Sequence, residues 1–209
     1  MKMRLTSVLL LAFALAVCAP ASASTIYTNG PINGTIWGYE IGQFNTAVVA
    51  NSFVSDGAYT VTGFDIGLWV NAGLPPGAVN WTISTGSAPS WLGGTTVASG
   101  TATWSSAYMM TNQYGVAIYK STAGGLNVGI GSGTYWLELT TSATGSLGWD
   151  QNSGPSTAYR FDFIGEVGGP IPSESFTVYG SSNVPVPPSA LLLGTGLLGL
   201  VGWRRFRKG

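Results

Sequence analysis

The chain has 209 residues, only 8% of them charged, with no histidine and a single cysteine. Those counts remove Ser-His-Asp and Cys-His catalysis and the commonest transition-metal ligand. The formal net charge of zero hides an asymmetry: all eight acids lie between Glu40 and Glu174, opposed there only by Lys120 and Arg160. The resulting −6 on that segment argues against nucleic acid as a partner.

Residues 1–23 read as a secretory signal peptide. Lys2 and Arg4 precede an apolar core over 8–17, and Ala21-Ser-Ala23 is a small-x-small cleavage site. Leu15-Ala-Val-Cys18 approaches a lipobox, but Val17 is too large for the position before a modified cysteine. Removal of this segment discards the only thiol, so residues 24–180 are expected to fold without disulfides.

Short apolar alternations then recur between Gly, Asn, Pro and Ser turns, with almost no helical period. In 58–70, Phe64, Ile66, Leu68 and Val70 share one face, while Asp65, Gly67 and Trp69 share the other. Val79, Trp81 and Ile83 alternate with polar residues, as do Tyr135, Leu137 and Leu139. Further strands are predicted over 46–54, 95–104, 114–121, 126–130, 159–164 and 174–179. Nine or ten strands at this spacing predict an all-β domain, an antiparallel sandwich of jelly-roll type.

Three kinds of site are considered within this domain. Trp69, Trp136 and Trp149 lie on the more polar side of their segments, where indole faces stack on sugar rings. A second buried face of a sandwich, or sheet ends covered by loops, accounts for the same residues more readily. Asp150 and Asn152, in the loop-like 149–155, offer oxygens for Ca²⁺, although Gly154 breaks an EF-hand pattern and an Asx turn explains them as well. Paired carboxylates (Asp162 with Glu166, or Asp150 with Glu174) could flank a glycosidic bond, yet acids of this kind more often sit on solvated loops. The expectation is a protein that is not an enzyme.

Residues 181–188 form a proline-rich linker. Val184 to Trp203 carries no charge, and Arg204, Arg205, Arg207 and Lys208 follow directly. A helix over 189–203 is about 22 Å long, short for a permanent span of a ~30 Å hydrocarbon core. The cations should remain cytoplasmic, with Trp203 at the interface. An ordinary tail anchor is the competing reading.

The order of these elements resembles the PEP-CTERM sorting signal of Gram-negative bacteria. The motif falls on Val184, Pro185, Val186, Pro187, Pro188 and Ser189, with Val186 where the family has Glu. Tyr59-Thr-Val-Thr-Gly-Phe64, 126–136, 149–155 and 171–176 resemble the body of such exported proteins. The resemblance implies an exosortase-type membrane protease as partner and a transient stay in the inner membrane, with the body in the periplasm. It also implies a destination at the cell surface or in extracellular polysaccharide. The expected role is structural or adhesive; a carbohydrate-binding module is the alternative, and a glycoside-active enzyme is expected less.

Overall fold

The computed structural model describes residues 23–42, 47–71, 73–142, 147–161 and 167–183. Residues 1–22 of the signal peptide, the sorting block, the apolar helix expected over 189–203 and the basic tail lie outside the described residues. Among the described residues no helix is long and apolar enough to cross a membrane.

Twelve strands follow in chain order: β1 (Ser24–Thr28), β2 (Gly38–Glu40), β3 (Val48–Ser55), β4 (Tyr59–Val70), β5 (Ala78–Thr85), β6 (Thr95–Thr111), β7 (Ala117–Ile130), β8 (Gly133–Thr140), β9 (Leu147–Asp150), β10 (Ala158–Phe161), β11 (Val167–Ile171) and β12 (Phe176–Ser182). They form one curled antiparallel sheet in the order β1-β12-β4-β7-β6-β5-β8-β3-β10-β11, with β9 on β4 and β2 on β9.

β6 produces the curl. Its first part, Thr95 to Thr103, pairs with β5; its second, Trp104 to Thr111, pairs with β7. One strand therefore serves two ladders. Trp104 sits at the changeover and packs edge-on against Phe64, ring centroids 6.3 Å apart.

The alternation along β4 decides what the curl encloses. Phe64, Ile66 and Leu68 are buried at 1%, 0% and 0% exposure and meet Phe53, Leu137 and Leu139 in a single core. Each such side chain contributes about 1.5–3 kcal/mol by leaving water.

Several expected strands merge or extend. Residues 114–121 and 126–130 belong mostly to one strand, β7, because Gly124 and Gly125 pass through a bulge opposite Val61 and Gly63 instead of turning the chain. The Trp149 segment is not wholly a loop: Leu147 to Asp150 pairs with β4 and β2. β1, β2 and β11 are too short or too glycine-rich to show an alternation.

The outer surface of the sheet is roofed at two places by loops, each held down by a buried carboxylate. Glu138, on β8, accepts from Ser84 Oγ, Ser90 N and Ser90 Oγ at 2.5, 2.7 and 2.6 Å, fixing the 3-10 turn Ser90–Leu92. Asp150, on β9, does the same for the loop over 29–37.

Candidate functional site

Strand pleating sends Asp65, Gly67 and Trp69 of β4 outward, away from the core. Over Gly67 lies Ile32, and Gly34 lies over Ile118. Any side chain at Gly67 would force its neighbours to move: a Cβ there would stand 2.6 Å from Asp150 Cβ and 2.8 Å from Ile32 Cγ2.

Asp150 ties the loop to the sheet. Its carboxylate accepts from the amides of Asn33 and Gly34 at 2.9 and 3.0 Å, from Trp69 Nε1 at 2.6 Å and from Ser175 Oγ at 3.3 Å. Burial nevertheless pushes its pKa up from the ordinary carboxylate value, with these four bonds opposing.

Past this hub the outer surface opens into an aromatic cleft of about 290 Å³. Its floor is Trp69, which is 4% exposed. Trp37 stands on one side at 6.3 Å between ring centroids and Tyr114 on the other at 6.2 Å. These flanking rings are 59% and 57% exposed. Gly38, Glu40, Asn71, Val116 and Gly148 complete the lining.

Local chemistry explains why both rings are displayed. Asn112 Oδ1 accepts from the amides of Tyr114 and Val116, closing an Asx turn, and Gly115 supplies the positive φ of 76° that the tight β6–β7 hairpin needs. Trp37 is held through its backbone, whose carbonyl accepts from Gln151 N at 2.8 Å. The next residue must be glycine, since a Cβ on Gly38 would lie 2.9 Å from Trp69 Cγ.

A second, more open groove of about 420 Å³ lies farther along the same outer surface. There Lys120 Nζ is 2.6 Å from Asp65 Oδ2, which also accepts from Tyr179 Oη at 2.5 Å. The hydrogen bond to Asp65 raises the Lys120 pKa; desolvation first, then Asp65, raises that of Tyr179.

The three tryptophans considered as sugar platforms do not face solvent; the competing reading, a buried or covered position, holds for each. Trp69, Trp136 and Trp149 are 4%, 2% and 0% exposed. Trp136 lies under the second loop, donating to the Gly86 carbonyl at 3.1 Å and packing on Tyr159. Trp149 points into the core, edge-on to Phe176, and donates to the Ser175 carbonyl at 2.8 Å. Trp136 and Trp149 are thereby removed as sugar platforms, and Trp69 remains only as a floor beneath exposed rings.

The Ca²⁺ candidates are corrected as well. Asp150 is spoken for by its four donors. Asn152 Oδ1 accepts from Gly154 N, Asn29 Nδ2 and Ser173 Oγ, and its Nδ2 donates to the Asn29 carbonyl. An Asx turn forms at Asn152, through Gly154 N, but not at Asp150, whose donors come from distant segments. Among the described residues no three acidic or sulfur/imidazole ligands converge on a metal position.

Asp150 and Glu174 do come together, through the bridge between Gln151 and Glu174, but both are 0% exposed. Neither carboxyl reaches a cleft where a glycosidic bond would lie. Asp162 and Glu166 are outside the described residues.

Neither carboxyl oxygen of Glu174 has a hydrogen-bond partner among the described residues. Asn51 Oδ1 receives the Glu174 backbone amide at 3.1 Å. Desolvation drives the Glu174 pKa well above the ordinary value, the Asn51 side chain opposes that only in part, and the Asp150 charge adds to it.

Trp37 was not singled out because it lies in a connection, where no period marks a face; Tyr114 was expected to begin a strand over 114–121, but β7 starts only at Ala117 and leaves Tyr114 in the preceding turn. The usable signal was their position among Gly, Thr and Asn, where burial is unavailable. No protein-family model matches the chain, and comparison with curated proteins finds no significant relative.

Proposed function

We propose that this chain is an exported cell-surface or matrix protein whose body binds polysaccharide through the cleft formed by Trp37, Trp69 and Tyr114. The observation that carries the reading is the pair of exposed rings flanking a buried indole. Exposed rings flanking a concave aromatic floor form the kind of contiguous patch that a partner covers. Sugar rings fit because they offer C–H faces to aromatics and hydroxyls to Glu40 and Asn71 at the margin. The acidic body favours a neutral glycan over an anionic one.

Export and sorting rest on the sequence alone. In this proposal the signal peptide directs translocation, and Arg204, Arg205, Arg207 and Lys208 hold the tail in the inner membrane. An exosortase-type protease then acts near Val184 to Ser189. The body is a sandwich of jelly-roll type, supported by β6 serving two ladders around one core. Its role is structural or adhesive, in the envelope or exopolysaccharide, without glycan turnover.

The test is retention on insoluble neutral polysaccharides. Trp37→Ala and Tyr114→Ala should each weaken retention about tenfold while leaving the unfolding midpoint in place. Wild-type protein that passes such columns unretained, or variants that bind as it does, would remove the glycan reading. Intact mass of the protein from its host tests the sorting half: a mass ending near the proline block supports it, and a mass retaining Lys208 makes the tail a plain anchor.

A further inference from the structure

We infer that the aromatic cleft and the attachment point occupy opposite poles of the body, so that a membrane-held chain points its cleft away from the bilayer. This rests on the proposed cleft and tail, and on strand registers that are independent of both.

β12 ends at Ser182, paired with Tyr59, the first residue of β4. Asn183 follows and donates its amide to the Ala58 carbonyl at 2.9 Å. Ser24, the first residue of β1, pairs with Gly180, two positions from that end. Both ends of the body therefore leave at one pole, on neighbouring strands about 4.8 Å apart. Any apolar segment before Ser24 and the apolar run after Val184 enter the bilayer from this side.

β4 runs from that pole to the cleft. Trp69 lies ten residues beyond Tyr59, about 30 Å away once the bulge after Val61 is allowed for. The connecting residues 184–189 reach at most about 20 Å even when fully extended. The attached pole is thus held near the membrane and the far pole is held off it. The body charge of −6 opposes lying flat on anionic headgroups. A polymer approaching from outside meets Trp37 and Tyr114 first.

The experiment uses the exported chain with its signal peptide removed and its tail intact, made in a host without a sorting protease and reconstituted into vesicles of phosphatidylcholine and an anionic phospholipid that carry an energy-acceptor headgroup dye. Single cysteines replace exposed turn residues at the two poles, Ser132→Cys beside Asp56 and Gln113→Cys beside Tyr114. Each is labelled with the same donor, after removal of Cys18 with the signal peptide. Transfer to the bilayer dye should be at least several-fold greater from position 132 than from 113. Equal or reversed transfer overturns the inference. Precursor that does not associate with the vesicles overturns the anchoring reading and the inference with it. Loss of glycan retention in Trp37→Ala, or its absence in wild type, bears only on the cleft's ligand and leaves the transfer ratio unchanged.

Discussion

Trp69 Nε1 donates to Asp150 Oδ1 at 2.6 Å, and this bond joins the floor of the cleft to the residue that anchors its wall. Aromatic surface and buried carboxylate are thus one construction: the acid that holds the 29–37 loop also fixes the rotation of the indole beneath it.

Asp150→Ala should be among the most destabilising single changes. It strands the Asn33 and Gly34 amides, the Trp69 indole N–H and the Ser175 hydroxyl together. We expect a loss of about 3 kcal/mol or more, read from the urea midpoint. A loss below about 1 kcal/mol would show that the loop does not depend on this acceptor.

Gly67→Ala and Gly129→Ala separate close approach from ordinary strand glycine. At Gly67 the new methyl meets Asp150, Ser175 and Ile32 within 2.8 Å, whereas at Gly129 nothing stands within 4 Å. Gly67→Ala should cost about 1–3 kcal/mol and lower glycan retention by displacing the loop. Gly129→Ala should leave stability unchanged or raise it by up to about 1 kcal/mol. Similar thermal midpoints for the two variants would contradict the packing argument.

Glu174 makes stability fall as pH rises. Below about pH 4.5, its ordinary value, folded and unfolded chains both hold the proton. Above it the unfolded chain releases the proton while the buried side chain keeps it, so folding is progressively opposed until the folded group itself ionises. Asp150 carries the same sign, starting from 3.8. Unfolding free energy measured from about pH 5 to about pH 8 should decline in the wild type and decline less in Glu174→Gln. Parallel profiles would exclude Glu174 as the source.

Glu138→Ala should release the second roofing loop without opening the core. Ser84, Ser90 N and Ser90 Oγ lose their acceptor, and Trp136 loses its cover. Limited proteolysis should then cut within 86–94 much faster than in the wild type, at sites identified by mass. An unchanged digestion pattern would mean that the Trp136–Gly86 bond alone holds the loop.

These contrasts also show which features were legible in sequence. The inward set Phe64, Ile66 and Leu68 was readable because strand period and burial coincide along β4. Trp69 was readable as outward and as a candidate for cover by a loop, but not which loop covers it, since that loop lies some thirty positions earlier. Trp149 misled because β9 is only four residues long, too short for a period, and its polar neighbours suggested a loop. The carboxylate of Asp150 was expected on a solvated loop, and nothing in the sequence marked Glu138 as an anchor. Their donors come from distant segments, and only the folded chain gathers them. Gly124-Gly125 looked like a turn because glycine serves a bulge and a turn equally well.

The course of β12 has a mechanical consequence. It begins at Phe176 against Ile66 and ends at Ser182 beside the attachment pole, bonded to β1 on one side and β4 on the other. A pull between a glycan held at Trp37 and a tether at Asn183 runs nearly parallel to these strands. Inter-strand hydrogen bonds stand perpendicular to such a load, so the ladders resist in shear, many bonds at once, instead of unzipping one by one. A body built this way yields at higher force when stretched along its working axis than when its end strand is peeled sideways.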